Sequence, residues 1–329
     1  MGIFQEIIES KSAEVWTDDT EMWKLLGYEA PVRVDLMERI CDLTNLAVGV
    51  KFSPSLQANP PPLVPVERIR KGLNICPHRL NGCYLLQLDE TTMLKVGVGV
   101  QMGEAEAMIL VKNQTSVPVP QVFNAYLIED IGFILMEKID GIQLGQSWPE
   151  LPRTLKESFA QELRGYIQQW RQIKGSFFGT VDNGPCRESV FQHPWENKVY
   201  HYGPFTSRKD FNKGMVEALA NSRPNQKLET EQDKLFAEEL LMSGIDQEEV
   251  KVLTHGDLDQ SNIMVRDGKI TGIIDWGAAG YSVPEREYYA LRWPALDSDW
   301  RELSTSILPP DGYDYWYNIN RQMMLYTCI

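Results

Sequence analysis

The sequence predicts an α+β fold with two lobes, a small β-rich N-terminal lobe followed by a larger α-helical C-terminal lobe. Between residues 66 and 139, polar turns separate short apolar runs, which is typical of antiparallel strands. From residue 150 onward, apolar side chains recur at every third or fourth position, which indicates helices that pack on a core. The change between these patterns predicts the boundary between the lobes.

The first 58 residues also have a helical pattern, since apolar residues such as Phe4, Ile7 and Ile8 share one face. Asn59-Pro60-Pro61-Pro62 follows, and consecutive prolines cannot continue a helix. We therefore expect three regions: a helical N-terminal extension (1–58), an N-terminal lobe (66–139) with a hinge at about 136–140, and a helical C-terminal lobe (141–329).

The N-terminal lobe contains four predicted strands and one helix. Apolar runs over residues 82–88 and 92–96 flank the polar turn Asp89-Glu90-Thr91, which predicts a hairpin. A helix over about 103–113 follows and ends before Pro118, and two further strands are predicted over 122–127 and 132–137.

In the C-terminal lobe, a long helix is predicted from apolar residues that include Phe159, Leu163 and Trp170 on one face. Thr230 and Asp233 predict a capping box that opens a second helix, which Gly244 closes.

Composition excludes several classes of protein. No apolar run reaches the roughly 18 residues of a membrane helix, and residues 1–18 lack the pattern of a signal peptide. The five scattered cysteines form no CxxC pair, which disfavours a disulfide framework or a zinc site. A net charge of −14 disfavours binding to nucleic acid or to anionic membranes. We expect a cytoplasmic protein without either partner, and protein partners stay open.

Two clusters in the C-terminal lobe supply oxygen ligands. The stretch 254–265 contains Asp257 and Asn262, and the stretch 270–277 contains Asp275. Apolar runs on both sides of the turn 266–269 predict a hairpin whose open end joins Asn262 to Asp275, with Asp257 in the preceding loop. Carboxylate and amide oxygens are preferred Mg²⁺ ligands, so the pattern predicts a magnesium site. The alternative is that these aspartates form turns or cap helices.

These clusters resemble the catalytic loop and metal-binding motif of the aminoglycoside phosphotransferase and choline kinase superfamily. His255-Gly256-Asp257 replaces the His-Arg-Asp of protein kinases, and Asp275-Trp276-Gly277 resembles their Asp-Phe-Gly. Gly184-Pro185-Cys186-Arg187 looks like the fungal branch, whereas Gly277 stands where many relatives have Glu. The resemblance covers about residues 66–300 and implies a two-lobed protein-kinase-like fold.

The resemblance also implies an activity and its site. It implies an ATP- and Mg²⁺-dependent kinase that phosphorylates a hydroxyl group of a small molecule. By the same resemblance, Asp257 is the catalytic base or orients the hydroxyl, Asn262 binds Mg²⁺, and Asp275 is the principal Mg²⁺ ligand. His255 is expected to brace the loop.

The resemblance gives Lys95 the role of binding the ATP phosphates. A lysine within the apolar strand Met93-Leu94-Lys95-Val96 is unusual unless its charge is paired or faces solvent from an edge. In the family, a glutamate of the following helix holds this lysine, and Glu104 and Glu106 are the candidates. Glu104 is favoured because it shares a helical face with the apolar residues four and seven positions later.

By the resemblance, the adenine ring lies at the hinge between the lobes. Met136 would lie behind the ring, while the Glu137 carbonyl and the Ile139 N–H would contact it. The loop over the phosphates would be about residues 72–82, which lack a GxGxxG pattern.

The acceptor pocket is expected in the region 293–317, where aromatic residues alternate with carboxylates. Aromatic faces and carboxylates suit a cationic amine, so aminoglycoside-like and secondary-metabolite alcohols are candidates. A core of aromatic residues beneath an acidic surface is the alternative. The aromatic and acidic residues concerned are Trp293, Asp297, Asp299, Trp300, Glu302, Asp311, Tyr313, Asp314, Tyr315, Trp316 and Tyr317.

Two other functions remain open. A protein kinase is disfavoured, because the short interval between Asp275 and Pro284 leaves no room for a segment that displays a peptide. A nucleotide-binding pseudokinase scaffold is disfavoured because Lys95, Asp257, Asn262 and Asp275 are all present.

Overall fold

The structure is a computed structural model that describes residues 36–77, 83–187, 200–223, 226–292, 297–309 and 312–327. The chain divides into two compact units, residues 1–39 and 40–329. The described residues of the first unit belong to helix α1 (Leu36–Leu46). Most of the predicted N-terminal extension, residues 1–35, lies outside the described residues, and the following concerns the second unit.

A six-stranded antiparallel sheet forms the N-terminal part of this unit. The elements of this part are β1 (Lys51–Phe52), α2 (Val66–Lys71), β2 (Leu73–Asn74), β3 (Cys83–Gln87), β4 (Thr92–Val98), α3 (Met102–Gln114), β5 (Val122–Ile128) and β6 (Ile131–Glu137). The strand order in the sheet is β1-β5-β6-β4-β3-β2, and the predicted hairpin, helix and two further strands are all present.

The register of this sheet places Lys95 on the face opposite to its strand neighbours. Lys95 of β4 lies between Leu85 of β3 and Ile134 of β6. Successive strand residues point to opposite faces, and Leu94 and Val96 are fully buried on the other side.

Helices dominate the remainder of the described chain, together with two small antiparallel sheets. The elements are β7 (Ile142–Gln143), α4 (Leu144–Ser147), α5 (Arg153–Trp170), α6 (Arg208–Ser222), α7 (Glu231–Met242), β8 (Val252–Thr254), β9 (Ile263–Arg266), β10 (Lys269–Ile273), β11 (Gly280–Ser282), α8 (Glu285–Arg292), α9 (Ser298–Ile307) and α10 (Asp314–Thr327). The strand orders of the two sheets are β10-β9-β7 and β11-β8. An N-terminal antiparallel sheet followed by a helical part confirms the predicted fold class.

The helical part also follows its sequence signals. Phe159, Leu163 and Trp170 of α5 are buried, as their spacing predicts. Thr230 and Asp233 form the predicted capping box of α7, in which each side chain accepts a hydrogen bond from the backbone N–H of the other residue. Among the described residues, no helix has the length and apolar character that crossing a membrane requires.

The β9–β10 hairpin closes with a two-residue loop. Asp267 and Gly268 both have positive φ angles, 50° and 74°, which match the turn that best fits the twist of paired strands. The strands pair Ile263 with Ile273, and the Ile274 N–H donates to the Asn262 carbonyl at 2.9 Å. The predicted hairpin is therefore confirmed, and Asn262 lies at its open end.

Candidate functional site

A cleft of about 520 Å³ lies between strand β4, the segment after β6 and the β9–β10 hairpin. Seven of the eight candidate residues line it, namely Lys95, Glu104, Met136, Glu137, Ile139, Asn262 and Asp275. The eighth, Asp257, is exposed and contacts Asn262. Residues separated by up to 180 positions in sequence thus meet in one cleft.

Lys95 forms two ion pairs in this cleft. Its Nζ lies 2.8 Å from Glu104 Oε1 and 2.8 Å from Asp275 Oδ1. Burial alone would lower the pKa of Lys95, but the charges of Glu104 and Asp275 outweigh it and raise the pKa, so the ammonium stays charged. A buried cation held between two carboxylates has a fixed position from which to contact an anion.

Glu106 has different partners from Glu104. Its carboxylate accepts hydrogen bonds from the Ser53 hydroxyl, from the Ser55 N–H at 2.9 Å and from the Ser55 hydroxyl at 2.5 Å. Both glutamates of α3 are buried, so burial does not separate them. Glu104 is the one that contacts Lys95, and Glu106 holds the segment that follows β1.

Asp275 has a left-handed backbone, with φ 60° and ψ 62°. This conformation costs a residue with a Cβ about 1 kcal/mol, and aspartate tolerates it better than most. The bend turns the chain out of the hairpin toward the cleft, where the carboxylate meets Lys95. Such local strain is frequent at functional sites.

Asn262 and Asp257 are joined by hydrogen bonds. The Asn262 Nδ2 donates to the Asp257 carbonyl at 2.7 Å and to Asp257 Oδ2 at 3.3 Å. Although Asp257 is exposed at the surface, partial desolvation by the surrounding residues raises the pKa of its carboxyl, and the nearby negative charges of Asp259 and Asp275 raise it further. Because Nδ2 of Asn262 is used in this way, its Oδ1 is the atom left to face a cation.

These residues fit a magnesium ion by their chemistry. Two carboxylates and an amide oxygen are hard ligands, and Mg²⁺ is usually bound by one or two carboxylates together with phosphates. No group of three or more His, Cys, Asp or Glu side chains within the described ranges could hold a metal by itself. Oxygen atoms of a bound phosphate chain would complete the ligands of a metal at this site.

His255 braces the loop that carries Asp257. Its Nδ1 accepts from the Asp257 N–H at 3.3 Å, so Nε2 carries the proton and donates to the Ile274 carbonyl at 3.0 Å. The buried Glu287 of α8 accepts from the N–H groups of His255 and Gly256 at 2.7 and 3.3 Å. Sequence reasoning missed Glu287, because nothing in its local pattern indicates a partner 32 residues earlier.

At the hinge, the Lys138 N–H donates to the Thr91 carbonyl at 2.8 Å. In the described part of the chain, nothing accepts from the Ile139 N–H, so a ligand in the cleft can do so. Gly141 has φ 127°, and a Cβ there would lie 2.5 Å from the Val265 carbonyl oxygen. Only glycine lets the chain pass this close to the hairpin. Residues 78–82 of the predicted phosphate loop lie outside the described residues.

The region 293–317 is mostly engaged within the protein. Trp300 and Trp316 are buried, and Asp297 caps α9 by accepting from the Trp300 N–H at 2.9 Å. Asp299, Glu302 and Asp314 contact Lys156, Arg153 and the Tyr288 hydroxyl respectively. Trp293, Asp311 and the side chain of Tyr315 are not described. The described carboxylates and tryptophans favour the core-and-surface alternative over an open pocket for a cation.

A comparison with families of known proteins gives one match. The sequence model of the phosphotransferase enzyme family, APH, matches residues 100–304, which is more than half of the chain. No curated protein matches the chain.

Solved structures show a similar fold. The apo form of a thermostable mutant of aminoglycoside phosphotransferase APH(4)-Ia has 18% identity and a TM-score of 0.50, over 74% of this chain and 80% of that one. A second structure of APH(4)-Ia has 17% identity and a TM-score of 0.50, over 74% and 79%. The streptomycin–ATP–APH(2″)-IIa complex has 17% identity and a TM-score of 0.49, over 76% and 79%.

Proposed function

Because the chain belongs to the phosphotransferase enzyme family, as its motifs predicted, we propose that it transfers the terminal phosphoryl group of ATP to a hydroxyl group of a small molecule, with Mg²⁺ as the required ion. The observation that carries this proposal is the contact of Lys95 with Glu104 and Asp275 in the cleft that Asn262 also lines. Phosphoryl transfer depends on positioning and on neutralising charge, and this cleft holds groups for both.

The nucleotide is proposed to lie along the cleft from the hinge to Lys95. Met136 lies behind the adenine ring, and the Glu137 carbonyl and Ile139 N–H bind its edge. The Ile139 N–H, which has no acceptor among the described residues, supports this placement. Lys95 contacts the phosphates while Glu104 holds its ammonium in place.

Asp275 and Asn262 are proposed to hold Mg²⁺, which when bound neutralises charge on the triphosphate. Asp257 orients the acceptor hydroxyl and takes its proton as the oxygen attacks phosphorus. Desolvation raises the pKa of Asp257, which brings this carboxylate closer to the range in which a group accepts a proton efficiently. The hydrogen bonds from Asn262 keep Asp257 beside the metal ligands.

Two observations disfavour the alternatives. Strand β11 and helix α8 begin within ten residues of Asp275, so no long segment is present there to display a peptide as in a protein kinase. A pseudokinase scaffold has no need for Lys95, Glu104, Asn262 and Asp275 to converge in one cleft.

The experiment is an acceptor screen with purified protein, read by ADP release and by mass spectrometry of the product. We expect phosphorylation of at least one small alcohol that requires both ATP and Mg²⁺. Nucleotide binding without transfer to any acceptor, water included, would favour the scaffold instead.

We predict that the preferred acceptor carries positive charge. The support is the net charge of −14 and the carboxylates of Asp257 and Asp259 beside the transfer site. At an effective dielectric of about 20, one close charge pair contributes a few kcal/mol before desolvation. Cationic, neutral and anionic alcohols compared at low and high salt should show the lowest KM for the cation, with salt raising it. An anionic best substrate would contradict this prediction.

We also predict that Lys95→Ala weakens ATP binding about tenfold or more, since a hydrogen bond to a charged group contributes roughly 1.5–3 kcal/mol. Glu104→Gln should do the same more mildly, because the lysine keeps its contact with Asp275. Glu106→Gln is the matched control in the same helix, and it should lower thermal stability while leaving ATP affinity unchanged. Calorimetric titration with ATP measures all three, and an effect on affinity confined to Glu106→Gln would reject this assignment.

A further inference from the structure

Arg286 is a buried cation of α8, with 6% of its surface exposed. Its Nη2 donates to the Ala278 carbonyl at 2.9 Å and to the Arg187 carbonyl at 3.0 Å, and its Nη1 donates to the Thr254 hydroxyl at 3.3 Å. Ala278 follows Asp275 by three residues, and Thr254 precedes Asp257 by three. One guanidinium therefore donates to residues beside both functional loops, the loop that carries Asp257 and the loop that carries Asp275.

Gly256 leaves the space that this guanidinium fills. A Cβ at Gly256 would lie 2.8 Å from Arg286 Nη2 and 2.7 Å from the Ala278 carbonyl oxygen. Gly256 also has φ 80°, which side chains rarely adopt. Where protein kinases carry an arginine within this motif, the present chain has glycine and brings a guanidinium in from α8.

The contacts of Arg286 continue to the turn that follows β4. Arg187, whose carbonyl accepts from Arg286, donates from its own Nη1 to the Gly99 carbonyl at 3.0 Å. Gly99 lies between β4, which carries Lys95, and α3, which carries Glu104. A short series of hydrogen bonds thus joins the loops that carry Asp257 and Asp275 to the turn between β4 and α3, the elements that carry Lys95 and Glu104.

We propose that Arg286 is a positioning residue that fixes the Asp257 loop against the Asp275 loop and so sets the geometry for transfer. The inference rests on the proposed function. A planar guanidinium donates in several fixed directions at once, which lysine cannot reproduce. A reacting group displaced by about 1 Å can lose roughly 100-fold in rate, so loosening these loops should lower kcat.

The test is Arg286→Met with Arg208→Met as the matched control. Arg208 is buried to a similar extent, with 9% exposed, but its side chain donates to Asn212, Glu285 and Ser243, outside both loops. Both variants should lower Tm. Per folded molecule, Arg286→Met should lower kcat roughly 10- to 100-fold with KM for ATP within about threefold, whereas Arg208→Met should keep kcat.

Two further measurements keep the test decisive. If Arg286→Met does not fold, Arg286→Lys is the second variant. It retains the positive charge but lacks the planar guanidinium with its several donors, so kcat should still fall about tenfold. Millimolar guanidinium should restore part of the activity that Arg286→Ala loses and should leave the activity of Arg208→Ala unchanged. Equal kcat for wild type and Arg286→Met, or equal losses in the Arg286 and Arg208 variants, would overturn the proposal. Absence of transfer by wild-type protein would instead reject the proposed function.

Discussion

Asp275→Asn is expected to reduce phosphoryl transfer by at least about 10³-fold, because a catalytic metal contributes several kcal/mol of charge stabilisation. Asn keeps the volume of the side chain, and it adopts the left-handed backbone of position 275 as readily as Asp does. The fold should therefore persist. Lys95 keeps its ion pair with Glu104 in this variant. The loss of transfer therefore reports on the proposed metal ligand and not on the position of Lys95.

Asp267→Asn is the matched control for this variant. Asp267 has the same left-handed backbone, with φ 50°, at the closed end of the same hairpin, where it is exposed. Turnover should stay at the wild-type level in this control. A second readout is the ratio of ATP dissociation constants without and with Mg²⁺, which should fall to about one in Asp275→Asn alone. Turnover of Asp275→Asn within tenfold of wild type would show that position 275 does not supply the metal ligand.

Local sequence signals were sufficient for the hairpin and much of the cleft. The pair Asp267-Gly268 between two apolar runs predicts a two-residue turn. This turn sets the register of the hairpin, so that Ile263 pairs with Ile273 near its open end. Helical spacing also selected Glu104, which is the residue that contacts Lys95. The spacing did not reveal that Glu106 is buried too. The partners of its carboxylate, Ser53 and Ser55, lie about fifty positions earlier in the chain, where helical spacing gives no information.

The supports of the functional loops could not be read from the sequence. Glu287 and Arg286 are charged residues in a short helix, and their local pattern is that of a solvated surface. Both are buried beside backbone groups that need partners: Glu287 accepts from the N–H groups of His255 and Gly256, and Arg286 donates to the Ala278 carbonyl. In the region 293–317, Asp299 is paired with Lys156, 143 positions away, and spacing along the chain carries no sign of that contact.

Asp257→Asn is the second substitution for which we expect a large effect, a loss of turnover of roughly 10²-fold or more, the usual scale for a positioned general base. Asn has the same shape and leaves the hydrogen bond from Asn262 Nδ2 to the carbonyl of residue 257 intact at 2.7 Å in the wild-type geometry. It cannot accept the proton of the acceptor hydroxyl. ATP affinity should stay within a few-fold, since Asp257 is exposed and does not contact Lys95 or the hinge.

Asp259→Asn supplies the control for charge in the same loop. The Asp259 Oδ1 accepts from the N–H and hydroxyl of Ser261 at 2.6 and 2.5 Å, and an amide oxygen can accept the same bonds. Both variants remove one negative charge within three residues, so only the loss of the base distinguishes them. Turnover and ATP affinity should be measured for both at saturating acceptor. An equal loss of turnover in the two variants, or a parallel loss of ATP binding in Asp257→Asn, would make Asp257 a residue that maintains the loop and not the one that accepts the proton.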